Sequence, residues 1–304
     1  MTLVATLIAN PARPAITDAV LAEARRVTRT EHQPRILHGE VAAELLVPGQ
    51  LDAAPALIEA LRGALGSEPI DVAVLPHDQH RRKRLFLADM DSTMIEQECI
   101  DELADVVGIK DQVAAITERA MRGEVAFEPA LRERVGLLKG LSVNVIDGLI
   151  RDTIRLTSGG GTLVATMRAH GAFTCLVSGG FTLFTGPIGA KLGFDETHAN
   201  RLDVADGHLT GQVVEPIVGA EAKRASLIEL RERLGLSPAH TIAVGDGAND
   251  LPMLGEASIG VAFRAKPKVA EAARVRIEHG DLTALLYLQG FSAAEFAKDR
   301  KSVV

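Results

Sequence analysis

Four short apolar runs constrain this chain more than any other feature. They are "LFLAD" (85–89), "FTCLVS" (173–178), "TIAVGD" (241–246) and "ASIGVAF" (257–263). None alternates apolar with polar residues, so none keeps a face for water. Strands of this kind are covered on both sides. Segments of helical pattern, such as "GGTLVATMRAHG" and "EAKRASLIELRERLG", stand between them. Strands and helices in alternation predict an α/β fold with a central parallel sheet.

Three regions depart from that rhythm. Residues 95–160 read as successive helices, "QECIDELADVVG", "KDQVAAITERAMRG", "EPALRERVGLLKG" and "NVIDGLIRD", with no strand between them. They predict a helical cap inserted after the first core strand. Residues 200–215 alternate around an Asp-Gly pair and predict a β-hairpin. Residues 1–80 carry strand candidates at 2–9 and 70–76 and helix candidates at 16–27 and 52–66. The apolar stretch 36–47 suits either one bent strand or a hairpin. This order predicts a small α+β unit of its own. The polar, charged run "HDQHRRKR" (77–84) marks its end, which leaves 81–304 for the α/β unit.

Composition narrows the function classes. The 304 residues carry 33 basic and 40 acidic side chains, a net charge of −7. A dedicated nucleic-acid binder would show a basic field. Aromatics make up 3% and Trp is absent, which argues against a base-stacking platform. The two cysteines, Cys99 and Cys175, form no close-spaced pair, which suits a reducing compartment. No signal-peptide pattern and no apolar run of membrane-spanning length is present. These features predict a soluble, cytoplasmic protein that binds neither nucleic acid nor membrane. The nine histidines show no paired-ligand spacing, so no zinc site is assigned.

In open α/β sheets ligands bind at the carboxyl ends of the strands. Here three runs end in polar residues: Asp89-Met90-Asp91-Ser92-Thr93, Ser178-Gly179-Gly180, and Gly245-Asp246-Gly247-Ala248-Asn249-Asp250. Any one alone is an ordinary solvated strand end; three of complementary chemistry are not. Clustered carboxylates raise one another's pKa. A hard divalent cation relieves that repulsion, and Mg²⁺ suits one to three carboxylates with waters and a phosphate. Ser178 and the N–H groups of Gly179 and Gly180 offer neutral donors. Lys223, at the start of a helix candidate, offers a point charge. This set fits phosphoryl transfer, where catalysis is mostly positioning and charge neutralisation.

"DMDST", "VSGGF", Lys223 and "GDGAND", in that order on strand ends, resemble the four motifs of the haloacid dehalogenase (HAD) superfamily of phosphotransferases. The resemblance covers roughly residues 84–290. "DMDSTMIEQECIDELA", "RAMRGEVAFEPALRERVGLLKGL", "VSGGFT", "ANRL" and "VGDGANDLPML" are similar to the phosphoserine phosphatase family within it. The resemblance implies a HAD-like Rossmannoid sheet with a helical cap at about 95–160. It implies a Mg²⁺-dependent phosphatase acting on O-phospho-L-serine through an aspartyl-phosphate, in the last step of serine biosynthesis.

The implied roles follow residue by residue. Asp89 is the nucleophile. Asp91 is the general acid toward the serine leaving group and then the base toward water. The two-residue spacing puts both side chains on one side of an extended segment. Asp89, Asp246 and the backbone carbonyl of Asp91 hold Mg²⁺. Asp250 supports the metal or orients Lys223, and Lys223 neutralises phosphate and nucleophile. Ser178, Gly179 and Asn249 meet the phosphate or its waters, with Gly180 in support. On the cap, Glu98 answers the substrate ammonium and Arg134 its carboxylate. Met121 and Phe127 match apolar positions that close over the ligand, and "MRGEVAF" (121–127) is a candidate lid loop. Cys99, beside Glu98, reads as a buried small side chain.

Two other functions use the same strand ends. One is a phosphotransferase that passes the phosphate to another alcohol such as homoserine. The other is a receiver-type signalling domain phosphorylated on Asp. The second aspartate and the large cap argue against the receiver. Residues 1–80 resemble, by topology alone, the small regulatory ACT-like domains of some phosphoserine phosphatases. Such domains often bind amino acids at paired interfaces, so a homodimer is one expectation.

Overall fold

The computed structural model describes residues 2–121 and 124–297, and only the backbone of Met121. The chain opens with β1 (Thr2–Ala9), α1 (Asp18–Thr28), β2 (Arg35–His38), β3 (Ala42–Pro48), α2 (Ala54–Leu65) and β4 (Ile70–Pro76). The strands form an antiparallel sheet in the order β2-β3-β1-β4. The stretch 36–47 is therefore a hairpin, turned at Gly39, whose φ is +37°. β1 lacks alternation because both of its faces are covered. Leu3, Ala5, Leu7 and Ala9 pack with residues of α1 and α2, whereas Val4 and Ile8 join the larger core with Leu282, Leu285 and Tyr287.

The second sheet begins at β5 (Leu85–Ala88). α3 (Cys99–Val106), α4 (Lys110–Met121), α5 (Phe127–Leu137) and α6 (Asn144–Asp152) follow without a strand among them, as the sequence predicts. Alternation then resumes with α7 (Gly160–Ala169), β6 (Phe173–Phe181), α8 (Thr182–Leu192), the hairpin β7 (Glu196–Ala205) and β8 (His208–Val214), and α9 (Ala220–Arg233). The last part holds β9 (Thr241–Gly245), α10 (Leu251–Glu256), β10 (Ile259–Phe263), α11 (Pro267–Ala272), β11 (Val275–Ile277) and α12 (Ala284–Leu288). The strand order is β11-β10-β9-β5-β6-β7-β8, parallel except for β8.

This order positions the site. β5 lies between β6 and β9, so the three polar strand ends stand side by side. The chain leaves β5 toward β6 on one side and later returns to β9 on the other, which opens a crevice at the carboxyl ends. The hairpin reaches from the sheet to the helical insertion: Gly140 donates to the Leu209 carbonyl, Leu209 to Leu141, and Val143 to Gly207. The three-residue β11 is too short to stand out in the sequence.

The run 77–84 is more than a charged connector. Arg81 and Lys83 are buried. Arg81 donates to Glu44 Oε2 at 2.6 Å and to the Leu288 carbonyl at 3.1 Å. Lys83 Nζ donates to the Ala239 carbonyl at 2.8 Å and to Ser258 Oγ at 3.2 Å. A run of charges reads as solvated only until its partners are known, and these lie far away in the chain. Among the described residues no helix is long and apolar enough to cross a membrane.

Candidate active site

Asp89 continues β5, its N–H donating to the Val244 carbonyl of β9 at 3.0 Å. The neighbouring strand thus fixes its backbone. Asp89 Oδ1 meets Lys223 Nζ at 2.6 Å, and the same ammonium meets Asp250 Oδ1 at 2.7 Å. Lys223 rises from the first turn of α9 and is fully buried. The other oxygen of Asp250 accepts the Gly247 N–H at 3.0 Å. Each oxygen of Asp250 thus has a donor, one of them the Lys223 ammonium. Asp246 Oδ1 accepts from the buried Thr93 hydroxyl at 3.3 Å.

Asp91 is held from two sides. Its Oδ1 accepts the Cys99 N–H at 2.8 Å, and its Oδ2 accepts the Ser178 hydroxyl at 3.0 Å. Ser178 Oγ in turn accepts the Gly180 N–H at 2.8 Å. A Cβ on residue 180 would come within 2.7 Å of Asp91 Oδ2, so only glycine lets strand β6 approach this closely. Cys99 itself is buried, and burial pushes its thiol well above the usual range, in keeping with an inert side chain.

The electrostatics are lopsided. Carboxylate oxygens of Asp89, Asp246 and Asp250 lie within 4.8 Å of one another. Lys223 is the ammonium they share. Burial alone would lower Lys223, but Asp250 and Asp89 outweigh it and hold the cation charged. Burial, with Asp250 next, pushes Asp89 well up and Asp246 up to about 6. Three acids against one ammonium leave surplus negative charge, and oxygen donors at this spacing fit a hard divalent cation.

The helical insertion brings its own charges to the same mouth. Glu98 opens α3 and accepts the Ser92 hydroxyl at 2.7 Å. Ser92 takes a positive φ of 55° there. Burial first, and then Asp91, raises Glu98 to about 7. Arg134, half-buried on α5, donates to the Ala130 carbonyl and to Thr117 Oγ1 at 3.2 and 3.3 Å. Burial lowers it, and Asp101 and Glu98 oppose that. The Phe127 ring lies over Gly179 and Gly219, within 3.4 Å of where a side chain on either would begin. Asn249 folds its amide oxygen back over Gly247. The Met121 side chain, part of the expected lid, lies outside the described residues.

Three residues around this site escape the sequence reading. Thr93 and Ser92 stand inside "DMDST", and only their contacts reveal what they do. Lys266 sits on the loop after β10, its N–H donating to the Asp246 carbonyl at 3.3 Å. Burial raises Asp101, Glu98 and Asp246, and the exposed Lys266 ammonium counters it in all three. The "AKPK" segment gave no periodicity or pairing to flag it.

A family model for haloacid dehalogenase-like hydrolases matches residues 86–255. That is more than half of the chain, and the chain belongs to this class of hydrolases. A hydrolase of this family from Salmonella enterica serovar Typhi shares the fold with a TM-score of 0.84 at 29% identity, over 94% of this chain and 98% of its own. A probable phosphoserine phosphatase from Vibrio cholerae superposes with a TM-score of 0.77 at 31% identity, over 97% of this chain and 88% of its own. Matches of that extent must include most of residues 2–76. The phosphoserine phosphatase of a Polaromonas species is 50% identical over 210 residues, 67% of this chain and 89% of that protein. Within the hydrolase class, the chain belongs to the phosphoserine phosphatase family. It is accordingly a phosphatase-family enzyme for a small-molecule substrate.

Proposed function

We propose that this protein hydrolyses O-phospho-L-serine to L-serine and inorganic phosphate. The observation that carries the reading is the placement of Asp89 and Asp91. Asp89 is charge-paired to Lys223 and Asp91 is hydrogen-bonded to Ser178, so two carboxylates from one strand end face different chemistry. Asp89 attacks phosphorus as the bond to the serine oxygen breaks, giving an aspartyl-phosphate. Asp91 gives its proton to the departing serine oxygen. It then takes a proton from the water that attacks phosphorus, and Asp89 and phosphate separate. Lys223 offsets negative charge on the nucleophile and the phosphoryl oxygens. Ser178 and the Gly179 and Gly180 amides hold those oxygens, with Asn249 nearby.

Asp89, Asp246 and the Asp91 carbonyl are the groups that would hold Mg²⁺. When bound, the ion supplies positive charge against the phosphoryl oxygens. On the insertion, Glu98 answers the substrate ammonium and Arg134 its carboxylate, with Phe127 closing over them. A phosphate-release screen over phosphoserine, phosphothreonine and phosphoethanolamine, with and without Mg²⁺, tests the reading. Phosphoserine should lead and should require the metal. Equal turnover of phosphoethanolamine, which lacks the carboxylate, would remove the role given to Arg134.

We further infer that residues 1–80 form a unit with its own role, joined to a phosphatase unit at 81–304 with its cap at about 95–160. Support comes from the sheet order β2-β3-β1-β4, that of a ferredoxin-like βαββαβ unit. Such a unit suits pairing of two chains or amino-acid binding. Sedimentation of the whole chain with and without serine checks both; a monomer unmoved by serine would count against each.

A further inference from the structure

We propose that Asn200 is a positioning residue for phosphoryl transfer, one that fixes the orientation of the Gly179–Gly180 peptide and ties it to the entrance of the Lys223 helix. The proposal rests on the phosphatase reading of the site. Asn200 lies on β7, paired with Phe181 of β6, and is fully buried. Its amide nitrogen donates to the Gly179 carbonyl at 2.8 Å and to the Val218 carbonyl at 3.1 Å. Its amide oxygen accepts the Val218 N–H at 2.7 Å. Three of its hydrogen-bonding positions are used, all on backbone, one at the end of β6 and two on the turn before α9.

The consequence lies in the planarity of the peptide. In a trans peptide the carbonyl of one residue and the N–H of the next point in opposite directions. The Gly179 carbonyl points to Asn200, so the Gly180 N–H points the other way. That N–H meets Ser178 Oγ, which is itself bonded to Asp91. Glycine on both sides gives this peptide the freest rotation a chain allows. Without Asn200 the plane can turn, and the donor on the phosphate side leaves the cradle.

The second attachment is as specific. Val218 immediately precedes Gly219, the N-terminal cap of α9, and the Lys223 N–H donates to the Gly219 carbonyl in the first turn. Asn200 therefore sets the distance between the end of β6 that offers amides and the helix that offers the ammonium. Of the two glycines under the Phe127 ring, Gly179 is one attachment point and Gly219 directly follows the other, Val218. One side chain thus levels the floor on which the insertion rests.

Asn200→Asp and Asn200→Ser test this. The first places a carboxylate against two carbonyls while keeping an acceptor for the Val218 N–H; the second is too short to reach both β6 and the turn before α9. Each should lower kcat/KM for phosphoserine by roughly tenfold or more, the scale of a displaced reacting group, and weaken inorganic phosphate by a similar factor. The Asp variant should recover relative to the unaltered protein as pH falls, because a protonated carboxyl again donates. Should the Asp variant fail to fold, the Ser variant carries the test. Folded variants that melt lower yet keep their kcat and phosphate affinity would overturn the proposal, since Asn200 would then only hold the fold. If the unaltered protein binds phosphate but leaves phosphoserine intact, the substrate reading falls while Asn200 is still judged by phosphate affinity.

Discussion

Two groups of buried charge in this molecule are built on different terms. Where the antiparallel sheet meets the C-terminal segment, Glu44 lies between Arg81 and Arg35 at 2.6 and 2.9 Å. Nearby, Asp71 accepts the N–H groups of Glu278, His279 and Gly280 at 2.8 to 3.2 Å. Each carboxylate oxygen there has its donor. At the carboxyl ends of β5 and β9, Asp89, Asp246 and Asp250 crowd around one ammonium. A buried charge that only has to hold is neutralised in place. One that has to work is left with charge to spare, which draws in a cation and a phosphate.

Substitutions at the two places should therefore separate activity from stability. Asp89→Asn should lower kcat by at least about 1,000-fold, as loss of a nucleophile does. It should leave the melting temperature unchanged or raised, because surplus negative charge is removed. Phosphate release and thermal melting check this, and full activity in the variant would end the proposed mechanism. Arg81→Met should do the reverse. It leaves the buried Glu44 with the exposed Arg35 as its one cation and should cost about 2 to 3 kcal/mol in denaturant unfolding, with kcat of the folded protein unaltered. Pairing it with Glu44→Leu should restore most of that loss. If the double variant is as unstable as the single one, the ion pair is not what matters there.

The smallest effect concerns pH. Glu98 is raised to about 7 by burial and by Asp91. Glu98 is solvent-exposed at the mouth of the site, so water screens the effect of this shift on stability and substrate binding is where it should show. Binding of an ammonium asks for the ionised form. KM for phosphoserine should therefore climb, by up to roughly tenfold per pH unit, as pH falls below about 7. Glu98→Gln should raise KM and flatten that climb. An equally steep profile in the variant would assign the titration to another group.

The sequence made the chemistry legible because the chemistry is local. "DMDST", "VSGG" and "GDGAND" each set several groups on one strand end, and uninterrupted apolar runs revealed which strands are buried. What stayed hidden depends on partners distant in the chain. Lys223 by its position alone reads as a surface helix lysine; the family motif marks it, and its burial between Asp89 and Asp250 shows only once α9 is packed beside β6. Arg81 and Lys83 read as part of a polar connector, yet their partners include Glu44, Leu288 and Ser258. Asn200 sits in a hairpin, where its type is disfavoured in strands. That mismatch and its place in the family-like "ANRL" were the local signs that it does something other than pair.

One consequence reaches beyond this chain. α12, "ALLYL", is buried on every side, and the Tyr287 hydroxyl meets His38 Nδ1 at 2.6 Å across to the antiparallel sheet. A helix that is apolar all round has no side to turn toward water. Any relative that lacks the first 80 residues must rewrite this helix with a polar stripe or stay adhesive to other proteins. Five residues near the end of a sequence thus act as a tell-tale for what stands at its beginning.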